Sequence, residues 1–455
     1  MSRLVIIAPR QLFLCIVAQF LATASLIAED WPQFRGSDRS AVLRETDIAT
    51  LMPAGQLPAK WSVGIGPGYS GPTVAAGRVY VTDRGQGERD LSAPESEVER
   101  VLCFDVADGK LIWQHDYDAP YTISYKAGPR ACVTIDSGKA LSVGAMGHFH
   151  CLNAETGQVI WARDLNNELK IEMPIWGITA APLVYRDMVI QIASGEGHSC
   201  VVALDLETGK TRWTALDEKA GYSSPVVVRQ GDQDVVVCWT GESVSGLDPL
   251  DGHLFWSIPM QSRNMPIGVP TPVIQDDLLF VSSFYDGSML IRLDLTMPSA
   301  EKVWHRVGED EQKTDALHCM ISNPIIKGQY IYGVDSYGEL RCLKLDDGDR
   351  VWEDKSAVKR NRWATIHVIQ AGNREIMVNE QGELLFGTLS PTGLQLHSRS
   401  ELISPTRIQL NRRDGVVWAP PAISDGHIFV RNDYELRCVS LLADPRSKPD
   451  SRTKP

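Results

Sequence analysis

Leu152 to Trp161 reads LNAETGQVIW: an apolar strand end, a Thr-Gly turn and a tryptophan four residues beyond the glycine. The pattern returns as FDVADGKLIW ending at Trp113, LDLETGKTRW at Trp213, LDPLDGHLFW at Trp256 and LKLDDGDRVW at Trp352. A longer-turned variant, LDLTMPSAEKVW, ends at Trp304, and in LSPTGLQLH a histidine, His397, stands where the others place Trp. The tryptophans lie 48, 52, 43, 48 and 48 residues apart, and a fixed period of this size marks a repeat architecture.

Each unit holds four short apolar segments separated by turn residues. In the third these are AAPLVY, DMVIQIAS, SCVVALDL and KTRWTAL. Short, alternating, β-branched segments between Gly, Asp and Asn read as antiparallel strands, and the turn Gly supplies a positive φ. A four-stranded unit at this period is a propeller blade. Seven complete units start near Ser70, Gly128, Ile178, Gly221, Gly268, Cys319 and Trp363. An eighth, VWAPPAISDGHIFVRNDYELRCVSLL, has only three strands, and the missing outer strand is PAKWSV, with Trp61 in the repeated position. The expected fold is all-β: an eight-bladed β-propeller of four-stranded antiparallel blades, closed by an N-terminal outer strand that hides both sheet edges.

This register decides two other readings. Cys103, Cys151, Cys342 and Cys438 recur at one position of four third strands, so they are small buried hydrophobes rather than disulfide partners. GIGPGYSG, Gly64 to Gly71, contains a GxGxxG match, but strand–turn–strand follows it and no helix N-terminus is there to hold phosphate. It is a blade-to-blade crossing.

Residues 1–28 carry Arg3 and Arg10, an apolar run and then small residues, which is the pattern of an export signal peptide. Residues 29–56 follow as an N-terminal extension, 57–442 as the propeller and 443–455 as a polar tail. The chain is therefore expected to be exported, periplasmic or extracellular, soluble and monomeric, with no transmembrane span after cleavage. A net charge of −12 argues against a nucleic-acid partner.

The LDxxTGxxxW repeat resembles that of the PQQ-like (quinoprotein-type) β-propeller family, from Leu57 to Leu442, and DWPQFRG at Asp30–Gly36 is similar to the mature start of many exported bacterial members. The resemblance implies two branches: dehydrogenases that bind PQQ and calcium in the central channel, and non-catalytic, BamB-like assembly scaffolds. This chain lacks the adjacent cysteine pair of the dehydrogenases, and no calcium set falls on matching positions, so no catalytic residue is carried over. It also lacks a convincing lipidated cysteine, since Leu14 precedes Cys15. The favoured expectation is a binding scaffold without cofactor or metal. The alternative is a PQQ- and calcium-dependent dehydrogenase, or another propeller enzyme acting on carbohydrate.

The crossings between blades share one face of a propeller, and here they bring Tyr69, Arg130, Trp176, Tyr222, Arg263, His318, Arg362, Trp363 and Trp418 to a funnel rim. Tyr125, Arg360, Arg412 and Arg413 belong to the same crossings. In an acidic chain this is a local reversal of sign. It suits a protein partner or a small anionic or aromatic ligand at the channel mouth. The bland alternative is a plug of rings packed on one another, with the cations paired to loop carboxylates. His148 and His150, two apart in GHFHC, and His198 are too few convergent ligands for a metal site. The insertion from Asp83 to Arg100 mixes both charges and reads as a solvated loop.

Overall fold

The computed structural model describes residues 29–85 and 97–443; residues 1–28, where a signal peptide is expected, residues 86–96 of the insertion and residues 444–455 of the tail lie outside the described residues. Seven stretches, 73–118, 134–164, 183–215, 226–259, 273–306, 325–354 and 366–401, each fold into an antiparallel sheet whose strands pair in chain order. In the eighth sheet Ala59–Gly64 pairs antiparallel with Glu435–Ser440, outside His427–Arg431 and Ala422–Ser424. Trp61 thus stands opposite Cys438, as Trp161 stands opposite Cys151. The fold is an eight-bladed β-propeller closed by its N-terminal strand.

The repeat has a physical reason beyond the turn. Each indole leans across to the next blade: Trp113 Nε1 donates to the Ala154 carbonyl at 3.1 Å, Trp161 to Leu206 at 3.0 Å and Trp213 to Pro249 at 3.0 Å. The ring rests on the turn glycine of that neighbour. A Cβ added at Gly157, Gly209 or Gly252 would meet the indole of Trp113, Trp161 or Trp213 at 2.6 Å, and all three glycines have φ near +70°. One glycine therefore meets two demands, a left-handed backbone and a ring pressed on its Cα. The closing blade uses the same latch, with Trp61 on Gly109 and the Val106 carbonyl. In all eight outer strands the pairing slips by one residue immediately before the Trp or its counterpart. Such a bulge re-aims the following side chain.

Three seams depart from the pattern. Trp352 donates to the Ser390 carbonyl of blade 7 at 2.8 Å, but no ring rests on Gly393, the turn glycine there. Blade 5 has no turn glycine, and Trp256 turns instead to Gln230 Oε1 at 2.9 Å. In blade 7 the hairpin between Glu383–Ser390 and Gly393–Glu401 is tight, so the skipped residue is His397 itself and Ser398 takes the paired position. His397 is exposed and does not replace a tryptophan. The N-terminal chain covers this seam: Met52 N–H donates to Ser398 Oγ, Leu57 N–H to the Glu401 carbonyl, and Glu401 N–H to the Gly55 carbonyl.

Earlier residues of that extension lie inside the ring. Trp31 exchanges both backbone hydrogen bonds with Val74 on the inner strand of blade 1, and Ile135 N–H of blade 2 donates to Pro32. Val42–Leu43 adds a parallel fifth strand to blade 7, and Glu45 accepts from the Asp425 and Gly426 amides of blade 8. The chain thus crosses the channel at the end where the turns between first and second strands lie. The glycines of GIGPGYSG serve the crossing from blade 8 to blade 1: a Cβ at Gly66 or Gly71 would strike the Arg84 or Pro420 carbonyl. All eight cysteines of the described residues are buried and unpaired, as their equivalent positions require.

The latch predicts unequal costs for one substitution. Gly138 has φ +73° with nothing near its Cβ, whereas Gly209 at φ +68° carries the Trp161 ring. Gly138→Ala should lose about 1–2 kcal/mol from left-handed backbone alone. Gly209→Ala should lose about 1–3 kcal/mol more, because the indole must shift. Equal losses in urea denaturation would refute the latch.

Candidate functional site

On the face where the blades cross over, the crossing residues converge on a cup of about 150 Å³ at the channel mouth. Tyr69, Tyr125, Trp176, Tyr222, Trp363 and Trp418 line it, with Arg130 on the wall. Five of the rings form a continuous belt: Trp176 stacks on Tyr222 with centroids 5.0 Å apart, Tyr125 stands edge-on to Trp176 at 6.0 Å and to Trp363 at 5.9 Å, and Trp363 meets Trp418 at 6.3 Å. Tyr125 and Trp363 hold φ of +56° and +67°. Bulky residues in that region cost about 1–3 kcal/mol each and concentrate at functional sites.

The floor comes from the extension. Phe34 lines the cup from below, and the next arginines anchor the segment. Arg39 donates to the Pro225 carbonyl at 2.8 Å and to the Ala181 and Pro182 carbonyls, clamping blades 3 and 4. Arg35 bonds the carbonyls of Arg39 and Ser40. Burial lowers the Arg35 guanidinium to about 10 and that of Arg39 to about 9. His367, also in the lining, donates from Nε2 to the Trp418 carbonyl at 2.9 Å. Burial first, and the nearby Arg35 charge, lower it to about 4. The Cys132 thiol in the wall is raised to about 12 by burial, so it is inert.

Of the nine rim residues expected from sequence, Tyr69, Arg130, Trp176, Tyr222, Trp363 and Trp418 come together in the cup. Arg362 stands just behind, 4.5 Å over the Trp363 ring and paired to Glu311 at 2.6 Å. Arg263 is exposed, and its backbone amide donates to Asp286. His318 does not reach the rim: it is buried, with Nδ1 donating to the Phe284 carbonyl and Nε2 accepting from Gly308 N–H. Sequence reading missed Phe34, Arg39 and His367 as parts of the site; only the DWPQFRG resemblance pointed toward the first.

Both outcomes weighed for the cations occur. Arg360, Arg362 and Arg413 pair with Glu339, Glu311 and Glu380. Among the described residues Arg130 donates only to the carbonyls of Gly128, Ser124 and Tyr125, and Arg412 lies 5.5 Å over the Tyr125 ring. His148 and His150 face one way, but Tyr117 packs against both, 4.3 Å from the His150 ring. Among the described residues no three His, Cys, Asp or Glu converge as a metal would require.

Residues 97–354 match the family described as outer membrane protein assembly factor BamB. A stretch of 262 residues is 25% identical to outer membrane protein assembly factor BamB of Yersinia pestis, covering 55% of this chain and 61% of that protein. A shorter one of 123 residues is 32% identical to quinohemoprotein alcohol dehydrogenase ADH-IIG of Pseudomonas putida, covering 25% and 16%. Less than two thirds of either relative is therefore covered. The solved quinohemoprotein alcohol dehydrogenase from Comamonas testosteroni shares the fold at a TM-score of 0.60 and 13% identity, over 92% of this chain and 81% of that one.

The buried histidines fix the sign of an acid response. His367 is lowered to about 4 and His150 to about 3, both chiefly by burial, from 6.5. Below pH 6.5 the unfolded chain takes up protons that the folded chain refuses, so stability is complete above that pH and is lost as pH falls toward the folded values. The thermal midpoint should fall from pH 7 to pH 4. His367→Gln keeps a donor for Trp418 and should flatten the slope by up to about 1.4 kcal/mol per pH unit. An unchanged slope would mean that His367 is not buried neutral.

Proposed function

The chain belongs to the family described as outer membrane protein assembly factor BamB, and from that premise we propose an exported, non-enzymatic binding propeller that acts as a scaffold in the periplasm or outside the cell. It works as a monomer and holds a protein partner by the aromatic cup. The observation that carries this reading is the cup itself: six rings from separate crossings, two of them on left-handed backbone, closed beneath by the chain's own N-terminal segment. Aromatic groups in a water-poor pocket are the usual anchors of a protein contact, each commonly worth about 2 kcal/mol or more.

The dehydrogenase alternative asks for PQQ together with calcium, and the residues here do not fit the calcium ion. Calcium takes six to eight oxygen ligands, largely carboxylates. No Asp or Glu lines the cup, and Phe34 with its segment fills the channel below. Likeness to quinoprotein dehydrogenases therefore supports the shared propeller frame and carries no reaction to this chain. Reconstitution with PQQ and calcium should give no dye-linked oxidation of simple alcohols or aldoses. Turnover abolished by chelation would overturn the scaffold reading.

A pull-down from an extract of the native cells tests the cup directly. Trp363→Ala/Trp418→Ala, folded by circular dichroism, should lose the partner that the parent retains. Lys210→Glu, on the opposite turn face, should keep it. The reverse result would place binding at the wrong end.

A further inference from the structure

Positive charge around the cup goes unanswered by any carboxylate in its lining, and we propose that the group received there is an apolar or aromatic one that itself bears a carboxylate. The favoured source is the C-terminal residue of a partner chain, the one peptide position that can join an apolar or aromatic side chain and a carboxylate on a single residue; a free aromatic acid has the same chemistry. This inference rests on the cup being a binding site.

The contrast among the arginines carries the argument. Three that are not in the lining are neutralised: Arg362 by Glu311 at 2.6 Å, Arg413 by Glu380 at 2.7 Å and Arg360 by Glu339 at 2.9 Å. Arg130, the one of these arginines in the lining of the cup, is not. It is fixed by three backbone carbonyls and lies 4.9 Å over the Tyr69 ring; Arg412, outside the lining, lies 5.5 Å over Tyr125, and neither has an ion-pair partner among the described residues. Beneath them Arg39 is fully buried on carbonyls and on Gln33 Oε1. Arg35 is likewise buried, and the carboxylate nearest in charge, Asp38, is bound to Arg44 and Ser40. Arg35 and Arg39 act electrostatically on His367 and Cys132, which line the cup, so their charge reaches it.

A buried guanidinium without a counter-ion is costly, and an anion entering the cup recovers part of that cost. A neutral apolar group recovers none, and a cation is repelled. The available space is also small. At roughly 10–15 Å³ per water, about 150 Å³ holds on the order of ten waters, enough for one ring-bearing residue but not a folded segment. Phe34 lines the bottom, so a group enters from the mouth only, and a chain end brings its carboxylate in with its side chain. Capture of a terminal carboxylate is an established mode of peptide recognition.

The test needs no variant that might misfold. Calorimetry on the full chain compares the peptide Gly-Ser-Gly-Ser-Phe as free acid with its C-terminal amide, and adds phenylacetate as the small acid. The free acid should bind about tenfold tighter than the amide, the effect of about 1.4 kcal/mol from one charge-assisted contact. The gap should shrink in about 0.5 M salt. Arg130→Gln should narrow it further, while Trp363→Ala weakens both peptides. Phenylacetate matching the peptide acid would assign the chemistry to a small acid, and much weaker phenylacetate to a chain terminus; both support the inference. Equal affinity of acid and amide overturns it and leaves the cup as a neutral binding site. If none of the three probes binds, the inference also fails, and the cup reading stands or falls on the pull-down.

Discussion

An indole pressed on its neighbour's turn glycine is the contact on which this propeller depends. A four-stranded blade cannot bury its two faces alone, so the ring stands only if each sheet is held to the next at one angle. The latch supplies that angle through a hydrogen bond to a carbonyl and a ring against a bare Cα, as for Trp161 on Leu206 and Gly209. A bulge before the Trp aims the ring across the seam. Because Trp61 makes the same contact on Gly109, closure is one more turn of the repeat rather than a separate device. Truncating a buried Trp typically costs about 3–5 kcal/mol, a large part of a domain's net stability.

The N-terminal chain then does two things that the repeat does not. It passes the blade 7–8 seam, where no indole is available, and it fills the lower channel before becoming the closing strand. Closure and plugging are thereby coupled through about fifteen residues of connecting chain, which span at most roughly 50 Å when extended. The cup exists because of that coupling: without Phe34 and the arginines behind it, the belt of rings would open onto a tunnel. The buried guanidiniums that anchor the segment also set the electrostatic character of the space above.

How much of this was legible in the sequence follows from what repeats. Blade number, strand order, closure by Trp61 and the free cysteines all rest on a pattern present many times over, so single irregularities did not mislead. His397 did mislead, because two strands lengthened and the hairpin tightened together, which leaves the spacing from Gly393 unchanged while moving the register. In the site, rings at the start of inner strands were found because their place in the blade fixes their place in the channel. Arg263 and His318 sit in longer crossings, where position along the chain no longer fixes direction; one stays in solvent and the other folds under the Phe284 carbonyl. Phe34, Arg39 and His367 were missed for a different reason. The first two belong to a segment with no repeat and no local pattern, and His367 reads as an ordinary strand residue until the channel is assembled.

Hydrogen exchange on the full-length protein tests the central claim most directly. The account predicts that amides of Trp31–Leu43 and Ala59–Gly64 are protected as strongly as those of the inner strands, and that both segments exchange together when the protein is destabilised in mild denaturant. Fast exchange of Trp31–Leu43 beside a protected Ala59–Gly64 would contradict it: the ring would be latched shut, but the channel would be open and the cup would have no floor.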